Sequence, residues 1–586
     1  MPRRFHPRCP LGSIASALLL SVLCVIARPA SGQNSQPENK SADSIHGTVV
    51  NSVTHEAIGR ALVYSPDNRF AAMTDSEGHF EFTFAKSDND SRNDQSGSAN
   101  KISYQRANIV GLMARKPGFI EARITQTVQP EAASKELVLS LTPESLVIGR
   151  VLLSSAEASD PIQLELYRRQ VLEGRAHWIL AGSTSTKSNG EFRFAELPAG
   201  SYKLLTRELM DRDPLASDPK SQVYGYPPVY FPNAIDFAAA QTLQLAPGQI
   251  FQADISLVRH AYYPIKVAVA NAPSAPGISI VVSVQGHRGP GYALGYNHRE
   301  QMIEGLLPNG NYTLEASSFG PSGGSGVTNI SVKGSAVEGA RMTLVPNGSI
   351  SVNVKDEFTS TEDANPQRMV VINGRRASEH GPARYLNLHL EAVDDFGQER
   401  SAWMRPRSSE DDSLAIEGVQ PGRYWVRTNS SRGFVASITS GTTDLQRQPL
   451  TVGLGGSSSP IEVTVRDSGA DVDGTIDGAA TSINGTDAAS GLAASPDNSP
   501  HVYFVPLPDS SGEFRDAWVN GDGKFGPQQL PPGAYLALAF DRPQPELEYG
   551  NPEAMRAYEE RGQLIRLTAG QKDHLHLQLI STNEKP

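Results

Sequence analysis

Residues 190–202 read GEFRFAELPAGSY, and this stretch decides the fold. Its last six residues follow the pattern Leu-Pro-x-Gly-x-Tyr, which recurs at 307–312, at 530–535 and, less closely, at 419–424. Counted from Gly200, the glycines of the four copies are 110, 112 and 111 residues apart. Repetition at a fixed period indicates a repeat architecture. The chain is therefore predicted to be an array of modules of about 110 residues.

The repeated stretch indicates a strand, a turn and a second strand. Alternation places Phe192 and Phe194 on one face of the first strand. The Pro-x-Gly turn that follows combines the fixed φ of proline with the access of glycine to positive φ. The second strand begins near Tyr202. We predict a β-hairpin whose Phe, Leu and Tyr side chains enter a core, and we interpret the repeated Tyr and Pro as packing and turn residues rather than as a site.

The first module shows the preceding half of this pattern without the tyrosine. Strand-like segments at 45–50 and 57–63 are followed by Asp75, by Gly78-x-Phe80-x-Phe82 and by a later Lys-Pro-Gly-Phe at 116–119. This succession closely resembles the carboxypeptidase regulatory-like domain. The resemblance is good over residues 45–142 and fair over 146–258, and the last three modules share mainly the Pro-x-Gly-x-Tyr pattern. It implies a transthyretin-like β-sandwich, often classed with carbohydrate-binding-like folds, and it specifies a fold rather than an activity.

The predicted fold is all-β, a tandem array of about five Ig-like or transthyretin-like β-sandwich modules after an N-terminal signal segment. Boundaries lie where one alternating strand closes a module and the next opens another; Ile461–Val465 is assigned to the opening of the fifth module. Short joints predict that neighbouring sandwiches stack as a semi-rigid rod. The layout is a signal peptide at 1–32, a disordered linker at 33–44, and sandwiches at 45–143, 144–260, 261–347, 348–457 and 458–586.

Two modules carry insertions. Polar loops at 86–100 in the first module and 478–498 in the fifth are predicted to be disordered, because they offer few large apolar residues. The fifth module also carries a predicted short helix at 552–561, with Asn551 as its N-cap and Pro552 in the first turn. We interpret this helix as a surface insertion.

The composition limits the classes of function. The chain has 586 residues and a formal net charge of -11. Affinity for phosphate backbones comes from clustered Lys and Arg, so this charge argues against nucleic-acid binding. The chain has two cysteines, Cys9 and Cys24, which excludes a disulfide-dense scaffold.

Residues 1–32 are predicted to be an export signal. Arg3, Arg4 and Arg8 form a positive region, and the apolar segment 13–26 is short for a membrane span. Cleavage after Gly32 removes four arginines and both cysteines, so the net charge changes from -11 to -15. An uncleaved N-terminal anchor is the alternative. No later stretch is apolar enough for a transmembrane helix, and the protein is predicted to be secreted, periplasmic or part of the cell envelope.

Motifs for catalysis and metal binding are weak. No His is followed by Glu three residues later, so the zinc-ligand pair of a carboxypeptidase is absent from the sequence. The Gly-x-Ser-x-Gly match at 320–324 lies among loop-forming residues rather than between a strand and a helix. His574 and His576 share one strand face without a third ligand nearby, and the Asn520-Gly521-Asp522-Gly523 segment is better explained as a turn than as a calcium loop. We predict no catalytic residue, metal ligand or cofactor.

The best binding candidate is a Tyr- and Pro-rich segment of the second module, YGYPPVYFPN at 224–233. Sugars stack on flat aromatic rings, and prolines hold such rings with little entropy left to lose. The candidate ligand-binding residues are Tyr224, Tyr226, Tyr230 and Phe231. The competing interpretation is that these rings cover one end of the sandwich.

The sequence predicts an exported, non-enzymatic, multi-module binding protein. Carbohydrate is the first-choice ligand, on the fold resemblance and the Tyr-Pro segment. The alternative is a structural or adhesive envelope protein with protein partners. An enzyme remains only as a third hypothesis, in which scattered carboxylates converge in three dimensions. The predicted partners are thus a polysaccharide or an envelope protein.

Overall fold

The fold was obtained as a computed structural model. It describes residues 43–65, 71–84, 110–120, 126–128, 137–154, 161–210, 222–272, 277–318, 323–359, 370–372, 375–377, 381–394, 396, 401–407, 413–456, 458–478, 499–510 and 512–582. The predicted signal peptide, nearly all of the linker, the loop at 86–100 and all but the first residue of the loop at 478–498 lie outside these residues. Within the described part of the chain, no helix is long and apolar enough to cross a membrane.

The first two modules are β-sandwiches. In the first, two four-stranded sheets have the orders β4-β1-β8-β6 and β3-β2-β5-β7, and their strands are β1 (Asp43–Asn51), β2 (Leu62–Tyr64), β3 (Ala71–Met73), β4 (His79–Phe84), β5 (Val110–Arg115), β6 (Phe119–Ile120), β7 (Gln126–Val128) and β8 (Leu137–Pro143). The strands from the second module's sequence are β9 (Ser145–Leu153), β10 (Gln163–Leu172), β11 (Arg175–Ser185), β12 (Glu191–Leu197), β13 (Gly200–Thr206), β14 (Leu209–Met210), β15 (Val223–Tyr226), β16 (Leu243–Leu245), β17 (Ile250–Gln252) and β18 (Ile255–Leu257). Its sheets have the orders β11-β10-β13-β16 and β12-β9-β17, with β18 also beside β9.

The third module shares strands with the second. Its own strands are β19 (His260–Ala270), β20 (Ile278–Val284), β21 (His287–Arg288), β22 (Gly295–Asn297), β23 (Met302–Pro308), β24 (Gly310–Ser318), β25 (Gly324–Val332), β26 (Val337–Thr343) and β27 (Val345–Pro346). One sheet has the order β14-β15-β19-β23-β22 with β26 also beside β19, and the other has the order β21-β20-β24-β25-β27. Strands β14 and β15, from the second module's sequence, therefore extend a sheet of the third.

The last two modules are built on the same plan, each with a strand that joins its two sheets. The fourth contains β28 (Gly348–Glu357), β29 (Val370–Ile372), β30 (Arg375–Ala377), β31 (Leu386–Ala392), β32 (Ser401–Pro406), β33 (Leu414–Val419), β34 (Gly422–Ser430), β35 (Phe434–Ser440), β36 (Thr443–Asp444), β37 (Leu450–Val452) and β38 (Ile461–Arg466), with 3₁₀ turns at Pro382–Arg384 and Leu454–Gly456. The fifth contains β39 (Ala470–Asp477), β40 (His501–Pro506), β41 (Arg515–Trp518), β42 (Lys524–Leu530), β43 (Gly533–Phe540), α1 (Pro552–Met555), β44 (Gln563–Leu567) and β45 (Lys572–Ile580). Strand β32 pairs with both β31 and β33, and β45 pairs with both β39 and β43.

All five modules pair their first strand in parallel with their last strand or, in the third module, with the strand that precedes the two-residue β27. The pairs are β1 with β8, β9 with β18, β19 with β26, β28 with β38, and β39 with β45. This shared pairing corrects one predicted boundary, because the segment assigned to the opening of the fifth module is β38, the closing strand of the fourth. Ile461 and Val463 are buried in the same core as Ile350. The fourth module thus extends to Arg466, beyond the predicted boundary at residue 457.

The repeated Pro-x-Gly-x-Tyr motif is a corner between sheets rather than the predicted hairpin. Strands β12 and β13 do not pair with each other: β12 pairs with β9 in one sheet, and β13 pairs with β10 and β16 in the other. The predicted burial of the aromatic residues is confirmed, since Phe192, Phe194 and Tyr202 all lie in the core. In all four copies the tyrosine hydroxyl donates to the carbonyl oxygen four residues earlier, from Tyr202 to Pro198 at 2.6 Å, Tyr312 to Pro308 at 3.0 Å, Tyr424 to Gln420 at 2.8 Å and Tyr535 to Pro531 at 2.7 Å.

A glycine in the opening strand forms a second repeated feature. A Cβ atom on Gly149 would lie 1.9 Å from the carbonyl oxygen of Ala253 and 2.8 Å from the ring of Phe192. Gly47 has the same relation to Leu137 and Phe80, at 2.2 and 2.8 Å, and Gly474 to Leu575 and Phe525, at 2.3 and 2.7 Å. These glycines therefore let a core phenylalanine and the closing strand, or in the second module the chain between β17 and β18, approach the opening strand.

The helical segment of the fifth module is shorter than predicted. The α-helix spans Pro552–Met555 and continues as a 3₁₀ turn over Arg556–Tyr558. Asn551 caps it as predicted, since its side chain accepts from the backbone N–H of Glu553 at 3.1 Å. Met555 is buried against a cluster that includes Leu538 and Phe540, so the segment covers a sheet face instead of being a surface insertion.

Candidate functional site

The Tyr- and Pro-rich segment lies mostly in the interior. Tyr226, Tyr230 and Phe231 are 0, 2 and 8% exposed, whereas Tyr224 is 37% exposed. The guanidinium group of Arg259 lies 4.2 Å from the centre of the Tyr224 ring. The predicted open platform of rings is therefore not formed, and the competing interpretation, that the rings cover the sandwich, describes three of the four residues.

These rings are buried because the segment joins the second module to the third. Strand β15 pairs with β19, the first strand of the third module, while Tyr226 and Phe231 pack in the core of the second. The Tyr230 hydroxyl donates to the carbonyl oxygen of Pro290 in the third module. Burial raises the pKa of Tyr230, so this hydroxyl stays protonated and available as a donor.

A cleft of about 610 Å³ lies where the second, third and fourth modules meet. Its volume falls within the range of ordinary ligand sites. The floor is the outer face of strands β20, β24 and β25, on which Val281, Glu315 and Val327 occupy paired positions. The second module contributes Glu165, Tyr167, Leu180 and Arg207; the third contributes Arg288–Tyr292; and the fourth contributes Phe396, Gln420 and Pro421.

Two arginine–carboxylate groups occupy the walls of the cleft. Arg207 Nη1 lies 2.8 Å from Glu165 Oε1. Arg288 joins the third module to the fourth, with its Nη1 2.8 Å from Asp394 Oδ2 and its Nη2 3.4 Å from Glu315 Oε2. The lining thus offers charged donors and acceptors side by side. Its two arginines and two glutamates have no net charge, and Asp394, which pairs with Arg288 but does not line the cleft, adds one negative charge.

An aromatic cluster supports the end of the cleft that the fourth module forms. Phe396 packs edge-on against Tyr167, with ring centroids 5.9 Å apart, and tilted against Phe237 at 5.0 Å. Lys203 is buried beside this cluster and donates to the carbonyl oxygen of Phe237 at 2.7 Å. The sequence patterns do not predict this site, because its members come from three modules and, apart from Gln420 and Pro421, lie outside the repeated motif.

Next to the cleft, the half-buried carboxyl group of Glu208 connects the second and third modules. Glu208 Oε1 accepts from the backbone N–H of Ala293 at 2.8 Å, and the other oxygen, Oε2, is buried without a hydrogen-bond partner among the described residues. Burial raises the pKa of Glu208 to about 7, against the opposing effects of Ala293 and Arg207. This carboxyl group therefore changes its charge near neutral pH.

The turn between β10 and β11 of the second module contacts the fourth module. Glu391 lies at the centre of this contact, with its Oε1 3.1 Å from His177 Nε2 and its Oε2 2.7 Å from Arg427 Nε. Burial opposes ionisation of Glu391, but His177 and Arg427 outweigh burial and hold its pKa below the ordinary value. Arg427 also donates to the carbonyl oxygen of Glu173 at 3.1 Å, and Arg175 lies 3.8 Å above the Trp425 ring.

The same turn also contacts the fifth module. Arg169 Nη2 lies 2.6 Å from Glu548 Oε1, and the N–H of Gly550 donates to the carbonyl oxygen of Gly174 at 2.9 Å. The ring of Tyr549 packs so closely that a Cβ atom on Gly174 would lie 2.6 Å from it. The second module thus contacts two modules that are not its immediate neighbours in the sequence, whereas the predicted rod stacks only sequence neighbours. We call these contacts with the fourth and fifth modules the turn joint.

The weaker sequence candidates have ordinary structural roles. His574 Nδ1 lies 2.5 Å from Asp473 Oδ1, and among the described residues no three His, Cys, Asp or Glu side chains are placed to hold a metal ion. The Asn520 side chain accepts from the N–H groups of Asp522 and Lys524, at 3.1 and 2.9 Å, which agrees with the turn interpretation. Ser322 of the Gly-x-Ser-x-Gly match lies outside the described residues.

Comparison with known proteins gives no family for the chain. No family model and no curated protein matches it, so the resemblance to the carboxypeptidase regulatory-like domain stays a prediction. Among solved structures, the Bacillus anthracis TIE protein is 12% identical, with 77% of this chain and 76% of that chain covered and a TM-score of 0.14. A Streptococcal ancillary pilin is 11% identical (52% and 100% covered, TM-score 0.17), and the pilus adhesin SpaC from Lactobacillus rhamnosus GG is 13% identical (51% and 42% covered, TM-score 0.15). Similarity this low carries no argument about the function of the chain.

Proposed function

We propose that the chain is an exported, non-catalytic binding protein that holds a carbohydrate in the cleft between its second, third and fourth modules. The observation that carries this proposal is the lining of the cleft, which combines two arginine–carboxylate groups with exposed apolar and aromatic surface. The proposed site therefore differs from the predicted Tyr-Pro segment, although the second module contributes to both.

The chemistry of the cleft suits a sugar. Vicinal hydroxyl groups both donate and accept hydrogen bonds, and an arginine beside a glutamate, as in Arg207 with Glu165, offers one partner of each kind. The C–H face of a sugar ring needs flat or apolar surface, which Tyr167 and Val327 supply. A lining without net charge favours an uncharged polysaccharide over an acidic one.

Titration of the full chain with cell-wall polysaccharides, after a glycan array, tests the proposal. Val327→Arg places a long side chain on the cleft floor, where the native residue is 52% exposed, and is expected to abolish binding without unfolding the module. Val53→Arg is the matched control, since Val53 is 51% exposed in the first module. No glycan binding by the native chain, or equal binding by Val327→Arg, would refute a carbohydrate site in this cleft.

The alternative is a structural or adhesive envelope protein with protein partners, and the turn joint favours it. A turn that contacts two other modules ties three modules into one arrangement, which suits display of a protein-binding surface. Pull-down from the native envelope separates the two functions. A protein partner kept by Val327→Arg but lost when residues 467–586 are deleted supports the adhesive role, whereas loss of all partners with Val327→Arg supports the cleft.

A further inference from the structure

Glu208 forms hydrogen bonds that connect one wall of the cleft to the second module. It follows Arg207, which lines the cleft, and its Oε1 accepts from the N–H of Ala293. The backbone N–H of Glu208 donates to the carbonyl oxygen of Gly291 at 3.4 Å. Residues Arg288–Tyr292 form the wall that the third module contributes. The contacts of Glu208 therefore hold the end of that wall in place.

The surroundings of Glu208 favour its neutral form. Oε2 is buried without a hydrogen-bond partner among the described residues, so the Ala293 N–H and Arg207 offset only part of the cost of ionising the carboxyl group. The groups that face it are Arg207 from its own segment, Tyr262 from β19, Tyr292 from the wall itself and Tyr312 from β24. Three of these four are phenols, whose pKa values burial raises, so they stay neutral and do not compensate a carboxylate charge.

We propose that Glu208 is a proton-sensitive clip: its neutral carboxyl group holds the wall at Gly291–Ala293 against the second module, and its ionised form releases it. Since the released wall no longer shapes the cleft, ligand affinity decreases as the pH rises. The link to ligand binding rests on the proposed function, whereas the clip itself does not.

The sign and the size of the effect follow from the two states of the clip. The pKa of Glu208 is raised in the closed state, so the clip is firmest below the ordinary carboxyl value of 4.5 and weakens as the pH rises through about 7. If release exposes the carboxyl group to water and restores the ordinary value, the opening equilibrium increases about 70-fold between pH 5 and pH 8.

Hydrogen–deuterium exchange of the full chain tests this without any ligand. The peptide that contains Ala293 is followed from pH 5 to pH 8, with rates corrected for intrinsic exchange, in the native chain and in Glu208→Gln. The native chain is expected to lose protection at Ala293 by tens of fold. Glu208→Gln keeps a carbonyl acceptor that cannot ionise and is expected to show protection independent of pH. Peptides from strands β28 and β38 serve as an internal control, because they belong to the core of the fourth module.

Either of two results overturns the clip. One is constant protection at Ala293 in the native chain, a measurement that stands even if Glu208→Gln does not fold. The other is the same loss of protection in Glu208→Gln as in the native chain. Because no sugar is present, failure of the clip is distinguishable from failure of the carbohydrate site, which the polysaccharide titration decides separately.

Discussion

Replacement of Glu391 by alanine is the sharpest test of the turn joint. The change leaves the guanidinium group of Arg427 and the ring of His177 facing each other without the carboxylate that lies 2.7 and 3.1 Å from them. Removal of one partner from a buried ion pair costs about 3–5 kcal/mol. Arg427 keeps its hydrogen bond to the carbonyl oxygen of Glu173 and is partly exposed, so we expect the lower end, about 3 kcal/mol.

Urea unfolding followed by tryptophan fluorescence measures this cost, since Trp425 lies in the joint beneath Arg175. A multi-module chain does not unfold in one step, so the quantity to compare is the midpoint of the transition that this tryptophan reports. Glu417→Ala is the control. Glu417 lies 2.6 Å from Arg405 in the same module, but each side chain is 30% exposed, and loss of such a pair costs at most about 1 kcal/mol. Equal effects of the two substitutions would refute the role assigned to Glu391.

Three further predictions concern the repeated features and pH. Tyr535→Phe removes the hydroxyl donor to Pro531 and should lower stability by about 1 kcal/mol in thermal unfolding, whereas Tyr224→Phe at the exposed ring should have no effect. Gly149→Ala forces a methyl group against a backbone carbonyl and should cost about 1–3 kcal/mol; an unchanged melting temperature would contradict the close strand approach. Because the pKa of Glu391 is depressed, the turn joint should be intact above pH 4.5 and weaken as the pH falls below that value; proteolysis that is no faster at pH 3.5 than at pH 6, after correction for protease activity, would contradict this.

Local sequence patterns predict that the chain contains β-sandwich modules, but they do not predict which strands pair with each other. Alternation and the Pro-x-Gly-x-Tyr motif correctly placed Phe192 and Tyr202 in a core. The same pattern did not show that β12 and β13 belong to different sheets, because the partners of a strand lie far away in the sequence. The sequence pattern puts Ile461 in the wrong module for a related reason: a closing strand alternates in the same way as an opening one.

The candidate site was beyond the reach of sequence patterns. Arg288, Phe396 and Leu180 are each ordinary within their own strand or loop, and only the contact between three modules brings them together. The Tyr-Pro segment shows the reverse: it looks like a binding site in the sequence but is mostly buried in the structure. Its composition suits a binding surface, yet pairing of β15 with the third module buries Tyr226 and Tyr230. Composition indicates which rings are present, whereas burial depends on partners that the local sequence does not reveal.

The parallel pairing of the first and last strands has a mechanical consequence. In such a pair the chain enters a sandwich at one end and leaves it at the other, as β28 and β38 do. Tension applied to the flanking chain therefore pulls the two strands past each other along their length. This shear loads the hydrogen bonds of the pair together, whereas peeling would load them one after another. Each of the five modules is built so that extension is opposed at its opening and closing strands.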